Sequence, residues 1–272
     1  MNTDSFEEKV RALRRRLQKL ESAVVAFSGG VDSSVLAQLC FEELRGRMIA
    51  ATAVSPSIPA RDLAAATELC RERGIPHRLV ETYEFDNDAF AANPEDRCYI
   101  CKRHLYDRLA KLADELGFAS VVEGTNIEDL SGHRPGHRAS SENRRVATPP
   151  IEEGFTKAEV RKLASSLSLP TAGKPSSACL ASRIPTGVKL TPELMRRIDS
   201  AEEFLREMGA GQVRVRHHGE LARIEVAEAD MPAVAGNAGR IVEALGNRGW
   251  SSVVLDLAGY RTGGADEERK AR

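Results

Sequence analysis

The sequence lacks any long hydrophobic run. Charged residues interrupt each apolar run within about 10 residues, which is well short of the length of a membrane span. Met1 to Leu20 reads as an amphipathic, charged helix without the apolar centre of a secretory signal. These absences predict a cytoplasmic protein with no membrane partner.

An excess of charge of one sign is also missing, and aromatic residues are few. The 39 Lys and Arg residues nearly balance the 40 Asp and Glu residues, giving a net charge of −1, and aromatic residues make up 5% of the chain. Such a composition offers neither the basic surface nor the stacking rings that nucleic-acid-binding proteins use. We therefore expect no nucleic-acid partner. At 42% hydrophobic, the 272 residues suffice for one large or two modest domains.

Cysteine is the next scarce residue, with five in the chain. In a reducing compartment, so few cysteines favour metal binding or redox chemistry over structural disulfides. Cys40 and Cys70 lie within apolar faces of predicted helices and fit the role of small buried hydrophobic residues. Cys98 and Cys101 instead form a C-x-x-C motif, and Cys179 stands apart in a Pro- and Ser-rich stretch.

The spacing leaves several roles open for Cys98, Cys101 and Cys179. Three thiolates suit a four-iron cluster with one iron open to a further ligand. A zinc site completed by His104 and a dithiol redox pair are equally compatible with the spacing. Burial as ordinary hydrophobic residues is the simplest alternative.

The chain is organised around the stretch A-F-S-G-G-V-D-S-S, residues 26–34. It joins the apolar run Val24–Phe27, a predicted buried strand, to a predicted helix over Val31–Leu44. The two glycines allow close approach of a ligand, and the amides at the helix N-terminus form an anion site. The pattern is neither a Walker loop nor a dinucleotide fingerprint. It resembles the pyrophosphate-binding loop of the PP-loop ATP pyrophosphatases.

Short β-branched strands alternate with helices along the first part of the chain, which predicts a parallel sheet with helices on both faces. From Thr191 onward, a helix, a hairpin, a helix and a strand predict a small α+β domain. The expected fold class is thus α/β. The predicted parts are a PP-loop ATP pyrophosphatase domain over residues 1–188, a small α+β substrate or oligomerisation domain over 189–263 and a disordered tail over 264–272.

An ATP site is expected beyond the carboxyl ends of the strands, where ligands bind in parallel sheets. Gly124-Thr125-Asn126 ends the fourth predicted strand there, and a long polar stretch without helical or strand period, Asp129 to Arg145, supplies two arginines. The predicted ATP- and pyrophosphate-binding residues are Ala26, Ser28, Gly29, Gly30, Asp32, Ser33, Ser34, Val54, Gly124, Thr125, Arg134 and Arg138.

A second set of arginines predicts an anion clamp. Arg214 and Arg216 lie two apart on a predicted strand and so point the same way. Together with Ser182 and Arg183 they could bind a phosphate or a carboxylate. A solvated strand face is an equally good interpretation of the pair, and Glu202, in the middle of a predicted helix, is interpreted as a surface carboxylate.

Six motifs occur in a fixed order along the chain: S-G-G-V-D-S-S, R-C-Y-I-C-K, E-G-T-N, R-P-G, K-P-S-S-A-C-L-A-S-R-I-P and V-R-V-R-H-H-G. Together they resemble the LarE family within the PP-loop enzymes. The resemblance covers roughly Ser22 to Gly263, and its most specific block begins at Lys174. LarE proteins are ATP-dependent sulfur transferases that help to build the nickel-pincer nucleotide of lactate racemase.

The resemblance implies that ATP and Mg²⁺ serve to adenylate a carboxylate on a pyridinium mononucleotide, into which sulfur is then inserted. The partner is a small nucleotide, and we expect a homo-oligomer. The residues that would bind the substrate are Ser182, Arg183, Glu202, Arg214 and Arg216.

Two sulfur sources occur in such a family. Either one cysteine gives up its own sulfur and becomes dehydroalanine, or three cysteines hold a [4Fe-4S] cluster. With Cys98, Cys101 and Cys179, this sequence resembles the second type, while sacrifice of Cys179 remains the alternative.

Three rival functions share some of these features. A tRNA-thiolating PP-loop enzyme would have the loop and the cysteines, and an amide-forming synthetase would need an ammonia source but no cysteine trio. A nucleotide-binding sensor would need neither three cysteines nor an arginine pair. Release of pyrophosphate on addition of substrate distinguishes an enzyme from a sensor.

Overall fold

Five parallel strands form the main sheet of this computed structural model, which describes residues 3–130, 135–175 and 177–261. Their spatial order is β3-β2-β1-β4-β5, and each neighbouring pair is parallel, as the sequence predicted. The strands are β1 (Ala23–Ala26), β2 (Met48–Val54), β3 (His77–Glu81), β4 (Ser120–Val122) and β5 (Val146–Ala147).

Helices accompany these strands along the chain. Within the described residues, no helix is both long enough and apolar enough to cross a membrane. The helices of this part are α1 (Thr3–Gln18), α2 (Val31–Leu44), α3 (Ala60–Arg73), α4 (Asp88–Ala91), α5 (Arg97–Leu116), α6 (Pro135–Glu142), α7 (Pro149–Glu152) and α8 (Lys157–Ser166).

Strand β1 lies at the centre of the sheet and separates two hydrophobic clusters. Because side chains alternate along a strand, Val25 joins the cluster that includes Leu17 of α1 and Leu36 of α2, while Val24 joins the cluster that includes Leu109 of α5. Both sheet faces are therefore covered by helices, which explains why β1 is a continuous apolar run.

The order of the strands in the sheet indicates where a ligand-binding crevice lies. The chain moves from β1 outward to β2 and β3 on one side, and later to β4 and β5 on the other. Such a reversal opens a crevice at the carboxyl ends of the two strands where it occurs, which are β1 and β4 here. The loop after β1 is the glycine- and serine-rich stretch that was predicted to bind phosphate.

A second compact unit contains residues 178–272 together with Ala91–Pro94, whereas the first contains Met1–Phe90 and Glu95–Ser177. In the second unit β6 and β7 pair antiparallel, and β7 and β8 pair parallel, which agrees with a small sheet region. Its elements are α9 (Pro192–Glu207), β6 (Val213–His218), β7 (Leu221–Val226), α10 (Met231–Gly236), α11 (Ala238–Asn247) and β8 (Ser252–Leu255).

Two local features differ from the sequence prediction. The stretch Asp129–Arg145 was predicted to be irregular, yet it contains α6, which begins at a proline whose missing N–H costs nothing in the first turn. The helix predicted between the hairpin and the last strand is two helices, because Asn237 leaves the helical conformation between α10 and α11.

The short segment Ala91–Pro94 joins the second unit through Asn93. Its side-chain amide donates to the Pro185 carbonyl at 2.8 Å, and its carbonyl accepts from Gly187 N at 2.9 Å. Nothing in the local pattern of residues 91–94 indicated this association. Arg134 and the predicted tail 264–272 lie outside the described residues.

Candidate active site

The loop after β1 folds back on the first turn of α2 through its serine hydroxyls. Ser33 and Ser34 donate from Oγ to the Gly30 carbonyl at 3.1 and 2.8 Å, and the Ser28 and Ser33 hydroxyls are 3.1 Å apart. Gly29 has φ +68°, a conformation that favours glycine, and Gly30 is the extended residue before α2. The first amides of α2 have no intrahelical partner, so this turn can bind an anion.

Two glycines bring neighbouring elements into close contact with the loop. A Cβ at Gly29 would lie 3.0 Å from Ala66 Cβ on α3, and a Cβ at Gly124 would lie 2.9 Å from the Asp32 backbone. The chain after β4 therefore packs backbone to backbone against the first turn of α2. At Gly30 the nearest atom to a Cβ would be Ser28 Oγ at 3.4 Å, so this side of the loop has room for a ligand.

Asp32, in the first turn of α2, is engaged by two donors. Asn126 donates from Nδ2 to Asp32 at 3.0 Å and to Asp129 at 2.8 Å, and Lys157 forms an ion pair with the Asp32 carboxylate. Lys157 is the first residue of α8, directly after the N-cap Thr156, which forms a capping box with Glu159. Sequence reasoning did not identify Lys157, because 125 positions separate it from Asp32.

Lys174 is a further cation at the loop that the sequence did not predict as a site residue. Its Nζ donates to the Gly29 carbonyl at 3.2 Å and lies 3.3 Å from Asp62 of α3. Asp62 also accepts from Ser177 Oγ at 2.5 Å. Lys174 opens the sequence block that carried the family resemblance, which was the available signal.

The other predicted ATP-binding residues lie at the ends of strands or on α6. Ala26 ends β1, Val54 ends β2, and Thr125 is buried in the segment after β4. Arg138 is on α6, with its guanidinium 3.9 Å from the Tyr99 ring centroid and 3.3 Å from Glu142. It thus contacts α5 and its own helix.

The five cysteines fall into two groups. Cys40 and Cys70 are buried, as predicted, and burial raises the pKa of both thiols, that of Cys70 to about 12. Cys98 and Cys179 are exposed, and Cys101 is half-buried. Within the residues that the structure describes, no three His, Cys, Asp or Glu side chains are gathered as metal ligands.

Cys98 and Cys101 lie in the first turns of α5, three residues apart and so on one face. Lys102, the next residue, forms an ion pair with the buried Glu123 directly after β4. Burial alone would raise the pKa of Glu123, but the Lys102 ammonium outweighs burial and lowers that pKa. This pair fixes the cysteine-bearing turn of α5 against the carboxyl end of β4. The loop after β1, residues 27–30, lies at the same edge of the sheet, and we call it the phosphate loop.

The second unit contains a buried network of charged residues. Arg183 and Glu202 are fully buried and pair at 2.9 Å, and Glu202 also accepts from Arg206 at 2.8 Å and from the Val215 amide at 3.1 Å. The interpretation of Glu202 as a surface carboxylate was wrong, because this residue joins α9 to β6 and to the 3₁₀ turn Leu180–Arg183. Burial raises its pKa, but Arg183 outweighs burial, so that the pKa is lowered.

Arg214 and Arg216 are buried as well, so the solvated strand face is the wrong interpretation of this pair. Arg216 pairs with Glu225 at 2.5 Å and donates to the Ser182 carbonyl at 3.1 Å, while the Arg214 guanidinium lies 5.2 Å from the Tyr260 ring centroid. Ser182 Oγ accepts from Arg183 at 3.0 Å. The predicted substrate residues thus form one connected cluster within the second unit.

Comparison with known proteins gives the family. Residues 5–112 match the family model for NAD synthase. The chain is 33% identical over 257 residues to the pyridinium-3,5-bisthiocarboxylic acid mononucleotide synthase of Lactiplantibacillus plantarum, covering 94% of this chain and 92% of that protein. It is 40% identical over 260 residues to an uncharacterized protein of Synechocystis, covering 95% and 97% of the two chains.

A more distant similarity is limited to part of the chain. The tRNA-specific 2-thiouridylase MnmA of Azorhizobium caulinodans is 30% identical over 190 residues, which is 57% of this chain and 49% of that enzyme. The match to the Lactiplantibacillus synthase, in contrast, spans nearly the full length of both proteins. The α/β sheet with its S-G-G-V-D-S-S loop and this full-length similarity show that the chain belongs to the LarE family of PP-loop proteins.

Proposed function

We propose that this protein is an ATP-dependent sulfur transferase acting on a pyridinium mononucleotide. It adenylates a carboxylate of that nucleotide, releases pyrophosphate and converts the adenylate into a thiocarboxylate. The observation that carries the proposal is the full-length similarity to a synthase of that thiocarboxylated nucleotide. The phosphate loop at the β1–β4 crevice and the accessible cysteines support it.

The first step needs a stabilised leaving group. A carboxylate oxygen of the substrate attacks the α-phosphorus of ATP, and the bond to the β-phosphate oxygen breaks, so pyrophosphate leaves. Negative charge develops on that group, and the amides from Gly29 to Ser33 are fixed dipoles that stabilise it without reorganisation. The Ser28 hydroxyl is a further donor at the loop, while the Ser33 hydroxyl donates to the Gly30 carbonyl and holds the turn. We assign Mg²⁺ to the same phosphates, since divalent cations neutralise such charge.

Nucleotide analysis tests this step. With MgATP and the pyridinium carboxylate nucleotide, we expect equal amounts of AMP and pyrophosphate; ADP and phosphate would contradict adenylation.

Gly30→Ala should stop pyrophosphate release, because the new Cβ would occupy the ligand side of the loop. The Gly30→Ala variant should still fold, since the atom nearest to the new Cβ is Ser28 Oγ at 3.4 Å. Gly29→Ala serves as the contrast, since its Cβ would collide with Ala66 and its positive φ is strained.

The arginine cluster of the second unit is suited to bind the anionic nucleotide substrate. Arg183 and Arg206 contact Glu202, and Arg216 and Arg223 contact Glu225. Arg206 also contacts Glu203, and Arg223 also contacts Asp256, so these four arginines face four carboxylates. Arg214, whose charge acts on Glu202, adds a fifth guanidinium, and guanidinium groups match phosphate and carboxylate geometry. We assign the substrate's phosphate or carboxylate to Ser182, Arg183, Arg214 and Arg216, with Glu202 holding Arg183.

The second step needs sulfur. We propose that Cys98, Cys101 and Cys179 would hold a [4Fe-4S] cluster. The described residues gather no set of three metal ligands, so the support is the family membership, the i, i+3 spacing of Cys98 and Cys101 and the accessibility of all three thiols. When bound, the cluster would carry an exchangeable sulfide taken from inorganic sulfide. Sulfide displaces AMP from the acyl carbon, so the thiocarboxylate and AMP account for all atoms. In the alternative, the Cys179 sulfur attacks instead, and cleavage of its Cβ–S bond leaves dehydroalanine.

A further inference from the structure

Lys174 stands beside the phosphate loop in a defined geometry. Its ammonium lies 3.2 Å from the Gly29 carbonyl oxygen and 3.3 Å from Asp62, and its side chain remains 25% exposed. An ammonium has three N–H donors. The two contacts with Gly29 and Asp62 leave one donor for a ligand that enters the loop.

Asp62 holds the ammonium in place. It lies in the first turn of α3, is 9% exposed and accepts from Ser177 Oγ at 2.5 Å. Burial alone would raise its pKa, but the Ser177 hydrogen bond and the Lys174 ammonium outweigh burial and lower that pKa. Asp62 is therefore a fixed anion that orients the lysine, and Ser177 fixes Asp62.

The other lysine near the loop serves a different purpose. Lys157 pairs with Asp32, which also accepts from Asn126. Its charge offsets an acid that would otherwise repel a polyphosphate. Lys174 instead donates to the backbone of the loop, at the carbonyl of Gly29.

We propose that Lys174 binds the pyrophosphate portion of ATP and offsets its charge as it leaves, with Asp62 as the positioning residue. This inference rests on the proposed function, since it assigns one more ligand to the same nucleotide. The loop amides supply partial charges, whereas Lys174 supplies an ammonium donor that is half-buried and whose charge Asp62 offsets in part. Lysine is a common phosphate ligand that acts as a point charge.

Binding of pyrophosphate alone tests the assignment without the acceptor substrate. Calorimetric titration of full-length protein with magnesium pyrophosphate should show Lys174→Met weakening affinity about 10- to 100-fold, the range expected when a hydrogen bond to a charged group is lost. Lys174→Arg should restore much of the affinity, and Asp62→Asn should show an intermediate loss. AMP affinity should not change in these variants. Lys111→Met, an exposed lysine on α5, is the matched control and should bind like the original protein.

Two outcomes would overturn the assignment. One is wild-type pyrophosphate affinity in Lys174→Met, and the other is an equal loss of AMP and pyrophosphate affinity, which would indicate general damage to the site. The proposed function fails by a different measurement, namely the absence of AMP and pyrophosphate from turnover of the unaltered protein. The two failures are therefore distinguishable.

Discussion

At the residue scale, environment divides the cysteines by chemistry. Cys40 and Cys70 are buried in the main core, where desolvation disfavours the thiolate that a nucleophile or a metal ligand needs. Cys98 and Cys101 lie on one accessible helix face, and Cys179 precedes the 3₁₀ turn that contains Arg183. Sulfur chemistry is thus assigned to these three cysteines.

Single substitutions test this assignment. Cys98→Ala, Cys101→Ala and Cys179→Ala should each abolish the visible absorption of anaerobically purified, reconstituted protein and stop sulfur transfer, while AMP and pyrophosphate still form. Cys70→Ala is the control and should retain both absorption and transfer. Intact-protein mass after turnover separates the two sulfur sources. A loss of H₂S localised to Cys179, with Cys98→Ala and Cys101→Ala still active, would refute the cluster as donor.

The phosphate loop could be predicted from sequence because its residues are consecutive, so a motif and a strand-to-helix transition define it. Lys174 and Asp62 could not be predicted as partners of that loop. They approach Gly29 only because the elements that carry them pack together, and no periodicity records a contact across 145 positions. Glu202 was misread for a related reason, since its two arginine partners make burial of a charged residue possible.

At the element scale, Glu202 holds α9, β6 and the 3₁₀ turn Leu180–Arg183 together. Its two oxygens accept from two arginines and from the Val215 amide. Removing one partner of a buried ion pair leaves the other charge uncompensated, which costs far more than loss of a surface pair. The network therefore fixes the arginine cluster relative to the sheet.

Glu202→Gln should lower the free energy of unfolding by about 3–5 kcal/mol, because Arg183 would be left buried without a carboxylate. The neighbouring Glu203→Gln is the matched control, since Glu203 is 51% exposed and contacts Arg206 at 3.5 Å; about 0–1 kcal/mol is expected. Chemical denaturation measures both. Equal stability of the two variants would contradict the structural role of the network.

The free energy of unfolding should depend on pH because the pKa of Glu202 is lowered in the folded protein. A carboxyl with a lowered folded-state pKa contributes stability above its unfolded pKa, and this contribution is lost as the pH falls through the folded-state value. The stability gap between the original protein and Glu202→Gln should therefore be full at neutral pH. It should narrow in the acid range below the ordinary pKa of glutamate.

Sequence periodicity predicted most elements with small errors at their ends. Helix α2 has the predicted bounds, because apolar patterning and glycine boundaries are local signals. Helix α6 was missed since its Pro, Gly, His and Ser residues have weak helical preference, and its packing against α5 through Arg138 and Tyr99 is not local.

At the scale of the whole molecule, the chain combines a unit that carries the loop after β1 with a unit that carries the arginine cluster. The first contains the phosphate loop, Lys174 and the C-x-x-C motif, and the second contains Cys179 and the predicted substrate residues. Similarity to the Lactiplantibacillus synthase extends over both units, whereas the NAD synthase model matches only residues 5–112. Under the proposed function, we therefore assign activation of the carboxylate to the first unit and expect sulfur transfer to need both units.

Mass analysis of the nucleotide product tests the central claim most directly. Anaerobic protein is incubated with MgATP, sulfide and the pyridinium dicarboxylate mononucleotide, and the nucleotide is then measured. We expect the mass change for replacement of a carboxylate oxygen by sulfur, only when ATP is present, with one AMP formed per sulfur inserted. A nucleotide of unchanged mass, recovered while AMP and pyrophosphate accumulate in the presence of sulfide, would contradict sulfur transfer as the function of this protein.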